Sequence, residues 1–562
     1  MPDGNRRNLW LGTLLAAAML LIVTAGQALA DDPTPAATGA AAPIGWPQFR
    51  GPNGDSIAPS SPKLLDTWPK AGPPLVWKSD ALPFAPICGV GSPVVAGGKV
   101  YAYAQVALPM EGVKPFNAEF FAHWGWAEGM SDELCKKVEA AMADKKYAEA
   151  RKTPDALEAC IKEILASLDP DQAAKFGDAI RTRIKVNSFD YANLAWMIAM
   201  KDQDVKTRQE FINLFIDRYH HTIYHSNQAE FIIKHADKVY KDQKWADQIV
   251  CLDGATGKTV WTKELPGAQK SWGVEFGCSG VPTIVKDKLY FAGSGGVYCI
   301  DISKKGELVW QGKGEGSCTS PVVCDGVVYC CPGDLAAFDA ATGKLLWRQP
   351  KVRHDTASPV VWKNNGKTYV ICADAEPRYY YNIFCMNADD GTVVWQEPAG
   401  GGNCALAIQG DTMVARANGG CTAYRLTLPK PEKLWTSKEG GDYGGSPIIY
   451  KDHVYACGHA YGSDVDTVLD LKTGAVTLKQ ATKGGACSTG AIADGKIIFV
   501  CDSGYKVGRL IVFKTTPDKF EEVGELPNQD VVACTSPAFA DGKVFVRMPT
   551  AIACYDLAEH QP

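Results

Sequence analysis

Beyond its first thirty residues the chain has no uninterrupted apolar stretch approaching the ~20 residues that cross a bilayer. Basic residues are neither in excess nor clustered: 58 Lys and Arg face 63 Asp and Glu, a formal net charge of −5. Without a basic stripe to neutralise phosphates, nucleic-acid binding has no support. No CxxCH occurs, so no c-type haem is carried covalently. No HExxH occurs either, which removes the commonest helical zinc-protease signature. What is present is a globular balance, 46% hydrophobic and 22% charged, with enough apolar surface for a large core. A length of 562 residues suggests several ordinary domains unless repeats build one large unit from small ones.

Residues 1–30 have the form of a signal peptide: Arg6 and Arg7, an apolar run from Leu9 to Ala25, then Ala28-Leu29-Ala30 as a cleavage site. The Arg pair faintly resembles a twin-arginine signal. Residues 31–45, rich in Ala, Pro and Thr, read as a flexible leader. The mature chain is therefore expected to be periplasmic or secreted, without a membrane span.

One motif recurs. Cys251-Leu-Asp253-Gly-Ala-Thr-Gly257-Lys-Thr-Val-Trp261 is nearly copied at Ala337–Trp347 and again at Cys385–Trp395. Looser copies place anchors at 301, 425, 470, 514 and 556, spaced 38 to 48 residues apart. That interval is the size of one four-stranded propeller blade. Upstream of each anchor lie two further strand signals, as in Ser320-Pro-Val-Val-Cys-Asp-Gly-Val-Val-Tyr329, two strands about an Asp-Gly turn. Each blade thus reads A, B, C, D, with Trp in strand D placed to dock on the next blade. The eighth copy ends without strand D. Pro73-Pro-Leu-Val-Trp77, which has no blade before it, is expected to supply that strand and close the ring.

The Ala/Cys-x-Asp-x-x-Thr-Gly-Lys-x-x-Trp repeat resembles the tryptophan-docking motif of PQQ-like propellers. That superfamily includes quinoprotein alcohol dehydrogenases and the propeller subunit of the outer-membrane protein assembly machine. Trp46-Pro-Gln-Phe-Arg-Gly-Pro-Asn-Gly54 resembles the leader of many exported bacterial members. The resemblance implies an all-β, eight-bladed propeller over 46–106 and 247–562. It leaves function open, because one fold hosts many activities.

Residues 107–246 do not fit the repeat. Ser131-Asp-Glu and Thr153-Pro154-Asp155 are helix starts, and five or six helices are expected. The insertion leaves after strand B of blade 1 and returns before strand C. It should therefore cover the face where B–C and D–A loops open. Long loops there carry Arg378, Tyr379, Tyr380 and Tyr381, then His459 and Tyr461, then Tyr505. With Cys318, Cys487 and Cys534 at the starts of A strands, these form the expected binding face.

Nineteen cysteines are many, but many of them recur at repeat positions, and in strand C Cys alternates with Ala and Val, as a buried small residue does. Strand C carries Cys251, Cys299, Cys385 and Cys554 two before the anchor. In strand B, Cys331, Cys372, Cys457 and Cys501 are aligned with Tyr103, Ala292, Arg416 and Arg547. Adjacent Cys330 and Cys331 resemble the vicinal disulfide of some quinoprotein dehydrogenases, yet both fall on packing positions. Cys135 and Cys160 could pair in an oxidising compartment. His221 and His225, four apart, are the weak metal candidates. No segment matches the dehydrogenases' Asp-containing active-site motif. The expectation is a binding or scaffold module with a protein, peptide or glycan partner and no cofactor or catalytic residue. The alternatives are an oxidoreductase using PQQ with calcium, or a metal, and a factor for outer-membrane protein assembly.

Overall fold

A computed structural model of the chain describes residues 45–82, 91–186, 191–219, 227–268, 280–316, 318–353, 357–373, 382–398, 404–417, 419–442, 444–457, 465–481, 488–501, 509–526, 531 and 535–560. Thirty-two strands form eight separate four-stranded antiparallel sheets, each with neighbours in chain order except one. Blade 1 is Val94–Ala96, Lys99–Ala107, Trp245–Asp253 and Thr259–Pro266. Blades 2 to 7 follow over 283–312, 322–353, 360–398, 407–437, 448–481 and 491–525. Blade 8 joins Ala538–Ala540, Lys543–Arg547 and Ile552–Asp556 to Leu75–Lys78 near the other end of the chain. Leu75 pairs with Tyr555 and Lys78 with Ala553, as the unpartnered D-strand pattern predicted.

The turns explain the repeat. In the A–B hairpin of blade 3, Asp325 (φ 51°) and Gly326 (φ 78°) both take left-handed conformations. A two-residue type I′ turn requires this to match strand twist. In the C–D turn, Asp253 Oδ1 accepts from the N–H of Ala255 and Thr256 and from the Thr256 hydroxyl. Asp339 and Asp470 are used the same way.

The motif glycine has two duties. Gly343 has φ 71°, and a Cβ there would lie 2.5 Å from the Trp310 ring of the preceding blade. Gly257, Gly391 and Gly474 meet Trp77, Trp347 and Trp435 likewise. Each of these tryptophans donates its indole N–H to the residue after the next blade's anchor: Gly254, Ala340, Ala388 and Leu471. Blade 5 lacks the turn glycine, and there the Nε1 of Trp395 is buried with no acceptor among the described residues.

Between the B and C strands of blade 1 stand eight described helices, two or three more than expected. They are α1 (Ala118–His123), α2 (Asp132–Met142), α3 (Lys145–Ala150), α4 (Pro154–Ala166), α5 (Pro170–Val186), α6 (Tyr191–Ala199), α7 (Arg208–Tyr219) and α8 (Asn227–Val239). The excess comes from α1 and α3, six residues each, too short to show a period in sequence. Side chains of Ser131 and Thr153 cap α2 and α4, with Pro154 in the first turn of α4.

The helices bury their apolar faces against each other. One core gathers Phe116, Phe120, Phe121, Trp124, Phe211 and Phe215; the other gathers Leu134, Tyr147, Ile161, Ile180 and Ile184. No propeller residue belongs to either core. The insertion is an arm with its own interior, joined to the ring through the long B–C ribbon of blade 1. The loops it was expected to cover, 374–381, 458–464 and 502–508, lie outside the described residues.

Candidate functional site

Eight A strands surround the propeller axis, and what lies against their inner edges decides what the channel can hold. Serine hydroxyls tie those strands together. Two residues before each A strand, the hydroxyl of one blade accepts the N–H at the equivalent position of its neighbour. Val281 donates to Ser320, Ser320 to Ser358, Ala405 to Ser446, Ser446 to Thr489, Thr489 to Ser536 and Ser536 to Ser92. The ring has two gaps, where blades 2 and 5 carry Val281 and Ala405 and so offer no hydroxyl. The repeated Ser-Pro had marked only the start of strand A in the sequence; its side chain is an inter-blade latch.

The leader enters this ring. Val95 and Ile284, in the A strands of blades 1 and 2, donate to the carbonyls of Trp46 and Pro47. Further on, Ile492 of blade 7 donates to Ser56 and accepts from Ala58. Between them Arg50 is buried and spans the ring. Its Nη1 donates to Leu406 O (2.6 Å), its Nη2 to Pro447 O (2.8 Å) and its Nε to Ser56 Oγ (3.0 Å). Burial lowers its pKa to about 10, which leaves it charged at neutral pH. Gly51, at φ 78°, lies under the Trp46 ring where a Cβ would come within 2.9 Å. The leader leaves over the A–B turns of blades 7 and 8, where Leu64 N–H donates to Asp494 and Pro62 packs on Gly542. A cavity of 170 Å³ remains between Gln48, Phe49 and Arg50 and the A strands of blades 3 to 5. Trp46-Pro-Gln-Phe-Arg-Gly is thus a plug, a role that its position before the first blade did not reveal.

At the opposite, B–C and D–A level, Arg416 and Asp247 are buried and engaged. Arg416 donates to the carbonyls of Gly440 (2.7 Å), Gly445 (2.7 Å) and Cys457 (2.9 Å). Asp247 accepts from Tyr103 Oη, from Ser294 N–H and Oγ, and from Gly295 N–H. Of the residues expected on the binding face, Cys318 is described and is half-buried. Arg378, Tyr379, Tyr380, Tyr381, His459, Tyr461, Tyr505, Cys487 and Cys534 lie outside the described residues, as do His221 and His225. Cys404, just before the A strand of blade 5, is buried, and burial pushes its pKa up to about 12.

Two thiol expectations need correction. Cys135 and Cys160 are free, and they sit in different helical cores. In strand B, Tyr329 pairs with Ala337 and Ile371 with Cys385, so Cys372 aligns with Cys330 rather than Cys331. Cys501 falls one position later than Cys457, because Ile498 pairs with Val512. The longer A–B hairpin of blade 4 hides this offset in the sequence. Cys330 and Cys331 themselves are free and face opposite sides of their blade, Cys330 toward blade 2 and Cys331 toward blade 4.

A family model described as outer membrane protein assembly factor BamB matches residues 246–348 and 331–559. The chain belongs to this PQQ-like repeat family. No curated protein matches it. Among solved structures, BamB from Moraxella catarrhalis is 12% identical with a TM-score of 0.43, covering 56% of this chain and 90% of its own. The quinohemoprotein alcohol dehydrogenase ADHIIG from Pseudomonas putida HK5 is 14% identical with a TM-score of 0.37, covering 57% and 73%. A europium-containing methanol dehydrogenase is 14% identical with a TM-score of 0.33, covering 48% and 71%.

A quinone bound with calcium makes definite demands on the groups around it. Such a site needs several oxygen ligands converging on the ion and cations free to meet the quinone's carboxylates. Among the described residues no three His, Cys, Asp or Glu side chains converge at metal-binding distance. The buried guanidiniums of Arg50 and Arg416 are directed at main-chain carbonyls instead.

Proposed function

We propose that this PQQ-like propeller is an exported, non-catalytic binding module, which holds a protein, peptide or glycan partner on the face that carries the helical arm. The observation that carries the reading is the plug. Residues 46–58 bond to the A strands of blades 1, 2 and 7 from inside the ring, and Arg50 spans to blades 5 and 6. A channel partly occupied by its own chain favours binding on the outer faces, of which one bears an arm with an independent core. The family model's description as an assembly factor favours a protein partner. The signal-peptide form of residues 1–30 supports export, and no described helix is long and apolar enough to cross a membrane.

The test is photo-crosslinking in the native host, with a reactive residue at exposed Lys162 of α4 or, as control, at exposed Lys258 in the C–D turn of blade 1. A discrete adduct from position 162 and none from 258 is expected. Adducts from neither, with a stoichiometric quinone and calcium retained in native mass spectrometry, would replace this reading with the oxidoreductase.

A further inference from the structure

Cys331 and Cys372 meet between blades 3 and 4, with Sγ atoms 3.9 Å apart. Both are fully buried in one hydrophobic cluster with Tyr329, Leu335, Val370 and Phe384. The one-residue offset in strand B explains the meeting. Successive residues of a strand face opposite sides of the sheet. Cys331, two after Tyr329, therefore faces forward to blade 4. Cys372, one after Ile371, faces back to blade 3. Had the two thiols shared a register position, one would have turned away. Cys372 Sγ also lies 3.4 Å from Ala373 O and 3.8 Å from Ala357 O. Cys404 and Cys421 have carbonyl contacts of the same kind, with Asp442 O (3.9 Å) and Gly440 O (3.4 Å), but neither meets another sulfur among the described residues.

We propose that Cys331 and Cys372 are a disulfide-forming pair that locks blade 3 to blade 4 when the chain folds in the presence of a disulfide oxidant. A disulfide needs its sulfurs about 2.05 Å apart, so the pair must close by roughly 1.9 Å, which small rotations about the two Cα–Cβ bonds share. Closure occurs before the interface is sealed, since the finished fold gives an oxidant no access to either sulfur. The thiolate of one cysteine attacks glutathione disulfide, forming a mixed disulfide and releasing one glutathione. The thiolate of the other then attacks the protein sulfur of that mixed disulfide and releases the second glutathione. Two protein thiols lose two electrons, glutathione disulfide gains them, and the two protons leave on the two glutathione thiols. In the folded dithiol the contact between the two sulfurs and burial raise the Cys331 pKa. A pair folded without oxidant is therefore expected to stay reduced.

The experiment refolds the full mature chain from denaturant in a buffer of oxidised and reduced glutathione, blocks free thiols with iodoacetamide under denaturing conditions, and maps tryptic peptides without reduction. The expected product links the peptide 314–344 to the peptide 368–378. The link should survive in Cys330→Ala and vanish in Cys331→Ala and in Cys372→Ala. Both of the latter should fold, because Ala292 and Ala373 occupy the register position of Cys331, and Ala102, Ala415 and Ala456 that of Cys372. Full alkylation of both cysteines in refolded wild-type protein would overturn the proposal. So would a link that persists in Cys331→Ala. Since the oxidant is supplied in the buffer, the result is independent of whether the chain is exported.

Discussion

The ring and the arm are held together by different means. Within the ring, one set of contacts is used again and again: a Trp indole on the next blade's turn, a serine hydroxyl accepting the preceding blade's N–H, a left-handed Asp-Gly hairpin. In the arm every contact occurs once. Its aromatic core stacks His123 on Phe231 at 3.5 Å between ring centroids and packs His235 against Phe120 and Phe211. The comparison teaches that redundancy tolerates a missing member. Blade 5 lacks both the turn glycine and the latch hydroxyl and still forms its sheet, whereas the arm has no second copy of anything.

The comparison breaks first at a ring contact that is not repeated from blade to blade. Arg50→Ala removes a buried cation that bridges blades 5 and 6 to the leader, and strands two carbonyls. Urea unfolding followed by hydrogen exchange should show the ring destabilised by about 3 kcal/mol, with amides of 118–239 unaffected. A change confined to the arm would defeat this assignment.

Acid should separate the two regions the other way. Burial lowers the pKa of His123 and of His235, which meets Pro115 O at 2.7 Å. Both imidazoles take up a proton less readily in the fold, while the unfolded arm takes up protons below about pH 6.5. The stability they contribute is present above that pH and is lost as pH falls through it. The ring's Asp253 and Asp301 lie at about 2, held there by Lys99 and Thr256 and by Ser303 and Lys288. Their contribution is full above about pH 4, the unfolded value, and is lost as pH falls from there through about 2. At pH 5, exchange corrected for intrinsic rate should accelerate in the helices and not in the blades.

A finer contrast lies within the ring. Trp347→Phe loses an indole bond to Ala388 O and should cost about 1 kcal/mol more than Trp395→Phe, whose Nε1 has no acceptor among the described residues. Equal losses would mean that the indole bond contributes nothing beyond ring packing. The smallest effect is a gain. Ala405→Ser supplies the missing acceptor for Ser358 N–H and should raise the melting point slightly, about 1 kcal/mol at most.

What could be read in advance follows the same division. Periodicity exposed the eight blades, the docking tryptophans and the strand that completes blade 8, because each copy corroborates the others. The plug was not legible: Arg50 bonds to carbonyls 356 and 397 residues away, and no local pattern encodes that. Nor was the register of Cys372, since a longer hairpin shifts a strand without altering its alternation. The short helices α1 and α3 owe their place to tertiary packing of Phe120, Phe121 and Tyr147. The face residues named from sequence, apart from Cys318, lie outside the described residues.

The pairing of Leu75 with Tyr555 imposes an order in time. Blade 8 takes its outermost strand from the beginning of the chain and its other three from the end, so no ring can close until the last strand has been delivered. Blades 1 to 7 can assemble in sequence from neighbouring hairpins, which are local and fast. The final step must bring together segments separated by almost the whole chain, the slowest kind of contact to form. Until then the chain is an open arc with two exposed sheet edges, and loss of residues 552–556 would leave it one permanently.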